Sequence, residues 1–485
     1  MRRFLKLAAL ACLPFALSAC ISATQDYETE LGFSLVSGQT AQRLGKEAMW
    51  IQNSADAAAA RSRVNGLLAS RYVGVDAAIQ VAILNNKNLQ ASYADVGMSV
   101  ADLWQEDLLA NPTISVGYSG IGVGRTIESI VAANLTRLLT RERRLDVAEV
   151  RLLQAQLRAV DATLALSAET RRAWIEAVAA WEAVSSLNQA KTAADAAAEL
   201  ARELGRTGAM PKADQAREQA FYAEITGQTA EARLAANLAK ERLYRVMGVW
   251  GKDLDFEVPN SLPGLPGGLR GYSSVEAEAL RNRVDLQVAR LKLEALARSY
   301  GLTNATRYVS DLDLAAGIEV EEEVEETEEG GEETNNIVSG MIEAGIEIPI
   351  FDSGQARLRK AEFQYLKAAN LLAAKAVDIR AEARAAYKAY RGRHDIARHY
   401  QSSVVPLRVT VEKESLLTYN GMITNTFDLL ADTRAKLGAI LTALQAKRDF
   451  YLADADLTAA ITGGLGGAPS AETETAVAEG GGAEH

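Results

Sequence analysis

Cysteine is almost missing from this sequence, which has only Cys12 and Cys20 among its 485 residues. Cys12 lies in an apolar N-terminal run that we expect to be removed, so the mature chain would keep one thiol. A disulfide or a cysteine-based metal site needs more than one thiol, and neither is expected. The fold must therefore be stabilised by packing, for which a chain with 48% hydrophobic residues and only 9 prolines has ample material.

Histidine and long apolar runs are also scarce. The only histidines are His394, His399 and His485, and no nucleophile, base and orienting residue form a recognisable group, so we do not predict an enzyme. The spacing of His394 and His399 suits a helical zinc pair poorly, and we expect both on the surface. Beyond the N-terminus, no stretch reaches the about 20 apolar residues of a membrane helix. The net charge of −11 argues against nucleic acid as a partner.

The N-terminus has the order of a secretory signal, with Arg2, Arg3 and Lys6 before the apolar run from Leu7 to Leu17. The run ends in Leu17-Ser18-Ala19-Cys20, which resembles the lipobox of bacterial lipoproteins. This resemblance implies removal of residues 1–19 and lipidation of Cys20. Ile21, which is not acidic, favours sorting to the outer membrane.

The remaining chain is predicted to be an internal duplication. Residues 78–90 and 275–287 are similar helical segments, in which Asn85 corresponds to Asn282 and Leu89 to Leu286 at a constant offset of 197. In both copies a helix is followed by two alternating segments and then by very long helices. A connector rich in glycine and proline separates the copies.

Each copy contains two predicted strands. Apolar residues alternate in 112–118, more weakly in 127–135, and again in 312–318 and 342–350. The glutamate-rich stretch from Glu319 to Glu333 is expected to be a solvated loop with no binding role. Four strands cannot close a membrane barrel, because bacterial barrels begin at about eight strands, so a dimer or a trimer would be required.

Long helices are predicted elsewhere. Residues 141–204 contain no proline or glycine, and Val150, Leu153, Leu157, Val160 and Leu164 have coiled-coil spacing. The tail after Ile461 is expected to be disordered.

These features together resemble the TolC family of outer-membrane efflux proteins. The segment from Ile348 to Gly354 resembles the family's Pro-x-Phe-Asp-x-Gly link between strand and helix, with Pro349, Phe351, Asp352 and Gly354 in place. Residues 283–286 resemble its Arg-Pro-Asp-Leu, with Val284 instead of proline. The resemblance covers roughly residues 76–457.

The resemblance implies an α+β membrane protein. Long antiparallel helical hairpins would form a coiled-coil tube, and four transmembrane strands per chain would build a shared 12-stranded barrel in a homotrimer. A periplasmic adaptor protein would connect the duct to an inner-membrane pump, and no cofactor is implied. The domains would be a signal peptide (1–19), an N-terminal periplasmic segment (20–75), the first repeat (76–251), a linker (252–272), the second repeat (273–460) and a tail (461–485).

The resemblance also suggests site residues. The hairpin turns would contact the adaptor, unless they are only helix C-caps; their residues are Gly208, Ala209 and Met210 in the first turn, and Gly421, Met422 and Ile423 in the second. Asp428 and Asp432, one helical turn apart, would form part of a periplasmic gate or simply a solvated face.

The substrate is left open by the sequence. Residues 419–422 and 427–430 are most similar to family members that export heavy metals, but drug export and type I protein secretion use the same architecture. A purely structural coiled-coil lipoprotein is the alternative from another class. It would leave the paired amphipathic strands unexplained.

Overall fold

A computed structural model describes residues 32–120, 125–308, 311–326, 332–421, 423–424 and 426–464. Cys20, Met422 and the tail beyond residue 464 therefore lie outside the described residues. The helices and strands, in chain order, are α1 (Ser34–Leu44), α2 (Ser54–Leu68), α3 (Val75–Asn85), α4 (Lys87–Asp107), β1 (Thr113–Ser119), β2 (Arg125–Asn134), α5 (Leu135–Leu139), α6 (Arg141–Arg206), α7 (Lys212–Met247), α8 (Val275–Asn282), α9 (Val284–Ala305), β3 (Leu312–Glu326), β4 (Glu332–Ile346), α10 (Gln355–His399), α11 (Val405–Asn420) and α12 (Thr426–Thr462).

Two compact units are formed. Of the described residues, the first contains 32–35, Tyr93–Arg158 and Leu286–Lys375, and the second contains Val36–Ser92, Ala159–Asp285 and 376–464. Within the described residues, no helix combines the length and the apolar character needed to cross a membrane.

The first unit contains one four-stranded antiparallel sheet in the order β1-β2-β3-β4. Its register aligns Ile114, Val131, Ala316 and Ile342 in one row across the four strands. Four residues further along β1, a second row on the same face contains Tyr118, Ile127, Val320 and Val338. These apolar side chains are largely exposed, with Ile342 at 83%. One face of the sheet is therefore apolar and unburied within the chain.

The opposite face carries carboxylates. Glu128 pairs directly with Glu319, Thr126 with Glu321, and Ala315 with Glu343. Like charges placed opposite each other destabilise a pair of strands, so this face is built for contact with water or with cations.

Two strand predictions were wrong in extent. The expected loop from Glu319 to Glu333 is largely strand, because β3 continues to Glu326 and β4 begins at Glu332. This part of the hairpin extends past β2, whose pairing with β3 starts at Arg125 and Glu322. The extension therefore has no partner strand on the β2 side among the described residues. At its other end, β4 stops at Ile346 and not at Ile350.

The duplication continues into the backbone geometry. The helix predicted at the start of each copy is broken, at Asn86 (φ −67, ψ 119) in the first and at Arg283 (φ −67, ψ 123) in the second. In each break the amide closes the preceding helix, with Asn86 N donating to Ala82 O at 2.9 Å and Arg283 N to Ala279 O at 3.0 Å. The two breaks are separated by the same 197 residues as the sequence repeat.

Different side chains hold the two breaks. The Asn86 carboxamide accepts hydrogen bonds from the first turn of α4, including one from Asn88 N at 2.9 Å. Arg283 is buried and donates from Nε and Nη2 to the two Asp285 carboxylate oxygens at 3.0 and 2.8 Å. A further guanidinium nitrogen donates to Glu382 on α10. A bidentate ion pair therefore fixes the second break.

The connector between the copies is bound tightly to the second unit. Lys447 and Glu182 form an ion pair of 3.0 Å. Glu182 accepts a hydrogen bond from Leu262 N, and Lys447 donates one to Leu262 O. Further along, Pro266 O lies 3.1 Å from Nε2 of His394, which is only 4% exposed. The prediction of a surface position was wrong for His394, since the connector covers it, and right for His399, which is exposed.

The start of the predicted disordered tail is also packed. Helix α12 continues to Thr462, and Ile461, Gly463 and Gly464 are buried. Gly464 has φ +84, and a Cβ there would lie 2.7 Å from the backbone of Leu164. Only glycine fits this close contact. The glycine-rich composition that suggested disorder here is therefore a requirement of packing.

One buried carboxyl group is incompletely hydrogen-bonded. Glu218 on α7 is 5% exposed, and its Oε2 has no hydrogen-bond partner among the described residues. Burial raises the pKa of Glu218, Arg434 lowers it in part, and Asp214 adds to the rise. Because the folded state holds this proton more tightly than the unfolded state, stability should fall as the pH rises through the folded-state pKa.

Substitution Glu218→Gln should therefore stabilise the protein at pH 8 by about 1–2 kcal/mol, because it removes a buried charge with an unsatisfied oxygen. Below the unfolded pKa of about 4.3, both forms are neutral and the advantage should vanish. Thermal unfolding of both proteins at pH 4 and pH 8 measures this. An equal difference at the two values would contradict the assignment.

Candidate functional site

The turn of the first helical hairpin, in the second unit, depends on a left-handed glycine. Gly208 has φ +76 and follows the end of α6. Its amide donates to Gly205 O at 3.1 Å, and Ala209 N donates to Leu204 O at 2.8 Å, which is the pattern of a Schellman cap. Thr207, Gly208 and Ala209 are exposed, whereas Met210 is half-buried.

The turn of the second hairpin has a different construction. Gly421 has φ −78 and ψ 3, a conformation open to any residue. A Cβ there would meet its nearest neighbour at 3.5 Å, which is ordinary contact. Ile423 N donates to Thr418 O at 2.9 Å, and the Ile423 side chain is 78% exposed. The predicted contact residue Met422 lies outside the described residues.

The two glycines should respond differently to alanine. Gly208→Ala forces a side chain into a left-handed backbone and should lower the free energy of unfolding by about 1 kcal/mol. Gly421→Ala should leave stability unchanged, so any loss of partner binding in that variant reflects contact and not folding. Denaturant unfolding of both variants tests the first part. Equal destabilisation would contradict the difference in backbone geometry.

The two predicted gate carboxylates have different surroundings. Asp428, in the first turn of α12, is exposed. Asp432, one turn later, is half-buried and accepts a hydrogen bond from the Ser415 hydroxyl of α11. The next link between the same helices is the ion pair of Lys436 with Glu412 at 2.6 Å. Asp432 therefore joins α11 to α12, whereas the Asp428 side chain is exposed.

Helix α12 is also joined to the first hairpin. Leu430 packs with Ala194, Phe221 and Ile225 in a small buried cluster. Beside it, the Arg434 guanidinium lies 5.0 Å from the centroid of the Phe221 ring and 3.0 Å from the Glu224 carboxylate. Movement of α12 would break these contacts together.

Asp428 and Asp432 should therefore separate in function. Asp432→Ala and Ser415→Ala should each destabilise the protein by about 1–2 kcal/mol, and the double variant by little more, because each change removes the same hydrogen bond. Asp428→Asn should cost less stability than Asp432→Ala, because the Asp428 side chain is exposed. If Asp428 faces a channel mouth, its neutralisation should also reduce cation selectivity in planar bilayers. A gate assignment for Asp428 fails if conductance and selectivity are unchanged.

The strand-to-helix link after β4, in the first unit, matches the predicted motif. Gly354 has φ +69, and its amide donates to Asp352 Oδ1 at 2.9 Å. Arg307 Nε donates to Ser353 O at 3.0 Å, and a Cβ on Gly354 would lie 3.1 Å from Arg307 Cγ. Pro349 has no amide hydrogen to continue the ladder. Phe351 is fully exposed, so its role is not in the packing of this chain.

Two features of these units were not predicted from the sequence. One is the Arg283 ion pair. Arg283 is the residue equivalent to Asn86 at the repeat offset of 197, so the sequence repeat could have indicated its position. The other is the carboxylate face of the sheet, which appears only when the register is known. In the described part of the chain, no group of three His, Cys, Asp or Glu side chains is placed to hold a metal ion.

Similarity to known proteins is found in the comparison with solved structures. No family model matches the chain, and no curated protein matches it in sequence. Among solved structures, CusC, studied for its folding and transmembrane channel formation, has 16% sequence identity and a TM-score of 0.66, covering 82% of this chain and 94% of CusC.

Two further structures are equally similar. The outer-membrane channel OprN has 18% identity and a TM-score of 0.66, covering 80% of this chain and 90% of OprN. The outer membrane protein VceC from Vibrio cholerae has 17% identity and a TM-score of 0.66, covering 81% of this chain and 97% of VceC. The chain therefore has the fold of these outer-membrane channels, as the sequence resemblance implied for the single chain.

Proposed function

We propose that this chain, folded as the outer-membrane channels are, is the passive exit duct of a tripartite efflux system. The observation that supports this most strongly is the sheet of the first unit. Its apolar face is exposed along all four strands and its other face carries carboxylates. Lipid outside and water inside would satisfy both faces.

The sheet also supports assembly as a homotrimer. Strands β1 and β4 are at the edges of the sheet order. An edge exposed to hydrocarbon costs several kcal/mol for each unsatisfied backbone group, so the edges must pair with other copies. Three chains would give a closed barrel of 12 strands, the assembly implied by the TolC resemblance.

Lipidation of Cys20 is compatible with the path of the chain. The first described residues are held in the first unit, where Gln156 Nε2 donates to Gly32 O at 2.7 Å and Phe33 packs edge-on against Tyr93 at 4.8 Å. The segment from Cys20 to Gly32 can span roughly 40 Å. Gln156 lies about 22 Å along α6 from Arg141, near the end of β2. A lipid on Cys20 could therefore reach the membrane at this end of the sheet.

The partners and the cargo follow from the same proposal. The exposed turns at Gly208 and at Gly421–Ile423 would contact the periplasmic adaptor, which joins the duct to an inner-membrane pump. Inside the barrel, Glu128, Glu319, Glu321 and Glu343 would create a negative field that favours cations. Cationic drugs or metal ions suit such a lumen better than anionic substrates.

The alternatives predict different behaviour. A type I protein secretion duct would share the conductance and the oligomer, and would differ only in its pump. A structural coiled-coil lipoprotein would form no pore, and it would leave the exposed apolar face, including Ile342 at 83%, without a function.

The two faces of β4 provide a matched test. Ile342→Arg places a cation on the proposed lipid face and should cost about 2–4 kcal/mol per chain, so the trimer should be lost. Ser339→Arg, on the opposite face, should keep the trimer and reduce cation selectivity. Native mass spectrometry of detergent-solubilised protein reports the subunit number and the lipid mass on Cys20, and planar bilayers report conductance. A stable non-conducting monomer with its full strand content would overturn the proposal.

A further inference from the structure

A cleft of about 550 Å³ lies in the second unit, at the break between α3 and α4. Its floor is apolar and includes Val64 and Leu84, which are 4% and 1% exposed. Trp250 lines it and is 78% exposed. The volume and the apolar floor are typical of pockets for small ligands or for short pieces of a polymer.

The position of Trp250 is fixed by the backbone on both sides. Gly248 has φ +68 and closes α7, and a Cβ there would lie 3.2 Å from Asn85 O. Gly251 has φ +66 and begins a short 3-10 turn after Trp250. These two bends place the large apolar ring of Trp250 at the surface, where it is in contact with water and adds nothing to the packed core. A binding role explains that arrangement.

The cleft is bordered by cations. Arg61, Lys87 and Lys252 all line it and are exposed, and no ion pair involves them within the described ranges. Asp253 is the acidic residue of the lining. In a chain of net charge −11, this local excess of positive charge favours an anionic ligand.

The aromatic residue of the cleft has no aromatic counterpart in the second repeat. In the second repeat, Gly463 (φ +108) packs against the break at Val284, with a Cβ at 3.5 Å from Val284 N, as Gly248 packs against Asn85. The residue two positions after Gly463 is Leu465, whereas two positions after Gly248 it is Trp250. The fold therefore repeats the bend, and the first copy carries an aromatic residue where the second has Leu465.

We infer that this cleft binds the carboxylate-bearing amino-sugar polymer of the cell wall. A flat, exposed indole matches the apolar face of a pyranose ring, and the surrounding cations match the carboxylates of the peptide stems. The Asn65 carboxamide, also exposed in the lining, can pair with an N-acetyl group. The inference rests on the proposed function, because a duct that crosses the periplasm must pass through this polymer.

The size of the cleft favours a glycan over an extended acidic peptide. A peptide docks along a groove or a sheet edge through repeated backbone contacts. The cleft at Trp250 is a compact depression with one aromatic ring. An acidic protein segment remains an outcome that the test must detect.

The test uses the full-length protein in detergent and purified cell-wall sacculi, with bound protein measured after sedimentation. Trp250→Ala and the double change Arg61→Glu with Lys87→Glu should each weaken binding by at least about tenfold. The double change Lys367→Glu with Lys388→Glu alters the net charge equally at exposed positions outside the cleft, and it should bind as the parent does. Added salt should weaken binding, because the charged groups are exposed.

Soluble competitors identify the ligand. A disaccharide carrying its peptide stem should compete, and a neutral chitin oligosaccharide should compete far less. Equal competition by both would overturn the carboxylate assignment. Competition by an acidic peptide but not by the saccharide, or unchanged sedimentation of the Trp250 and cation variants, would overturn the inference. The same variants should conduct normally in planar bilayers. A parent protein that does not conduct would refute the duct proposal separately.

Discussion

A sheet of four strands with one apolar and one charged face cannot be satisfied by its own chain. The edges β1 and β4 expose backbone donors and acceptors, and the row from Ile114 to Ile342 exposes apolar surface. Each need has a known remedy, which is pairing for the edges and lipid for the face. In the proposed duct, identical copies around a closed barrel would supply both remedies. The proposed oligomer, membrane location and polar interior would then share one physical cause.

The repeat shows which features of the backbone this architecture requires. Both helix breaks have the same dihedral angles, although the family motif places a proline after the second one and this chain has Val284 there. A proline forces the preceding residue into an extended conformation. Here Arg283 adopts that conformation without it, because its guanidinium is held by Asp285 and Glu382. The ion pair replaces a steric restriction, and the geometry is preserved.

Sequence patterns predicted the elements whose two faces differ. Alternation located the four strands because their two faces differ in polarity. The lack of proline and glycine located α6 because both residues interrupt helices. The extension of β3 and β4 was missed because its glutamate-rich sequence lacks the apolar alternation that marks a strand. The burial of His394 and the Lys447–Glu182 clamp on Leu262 were missed because their partners are far apart in the chain. Gly463 and Gly464 suggested disorder, although close packing requires them.

The two hairpins differ in the regularity of their long helices. Helix α6 has 66 residues without interruption, whereas its counterpart in the second repeat contains a π turn at Tyr400–Val404 between α10 and α11. Pro406 follows this turn and has no amide hydrogen to restore the regular ladder. An extra residue in one turn rotates the following side chains by about 100°. It therefore sets which face of α11 meets α12, including the placement of Ser415 against Asp432. The second hairpin thus combines an interrupted helix with the exposed Asp428, while the first has an uninterrupted helix and a left-handed glycine cap.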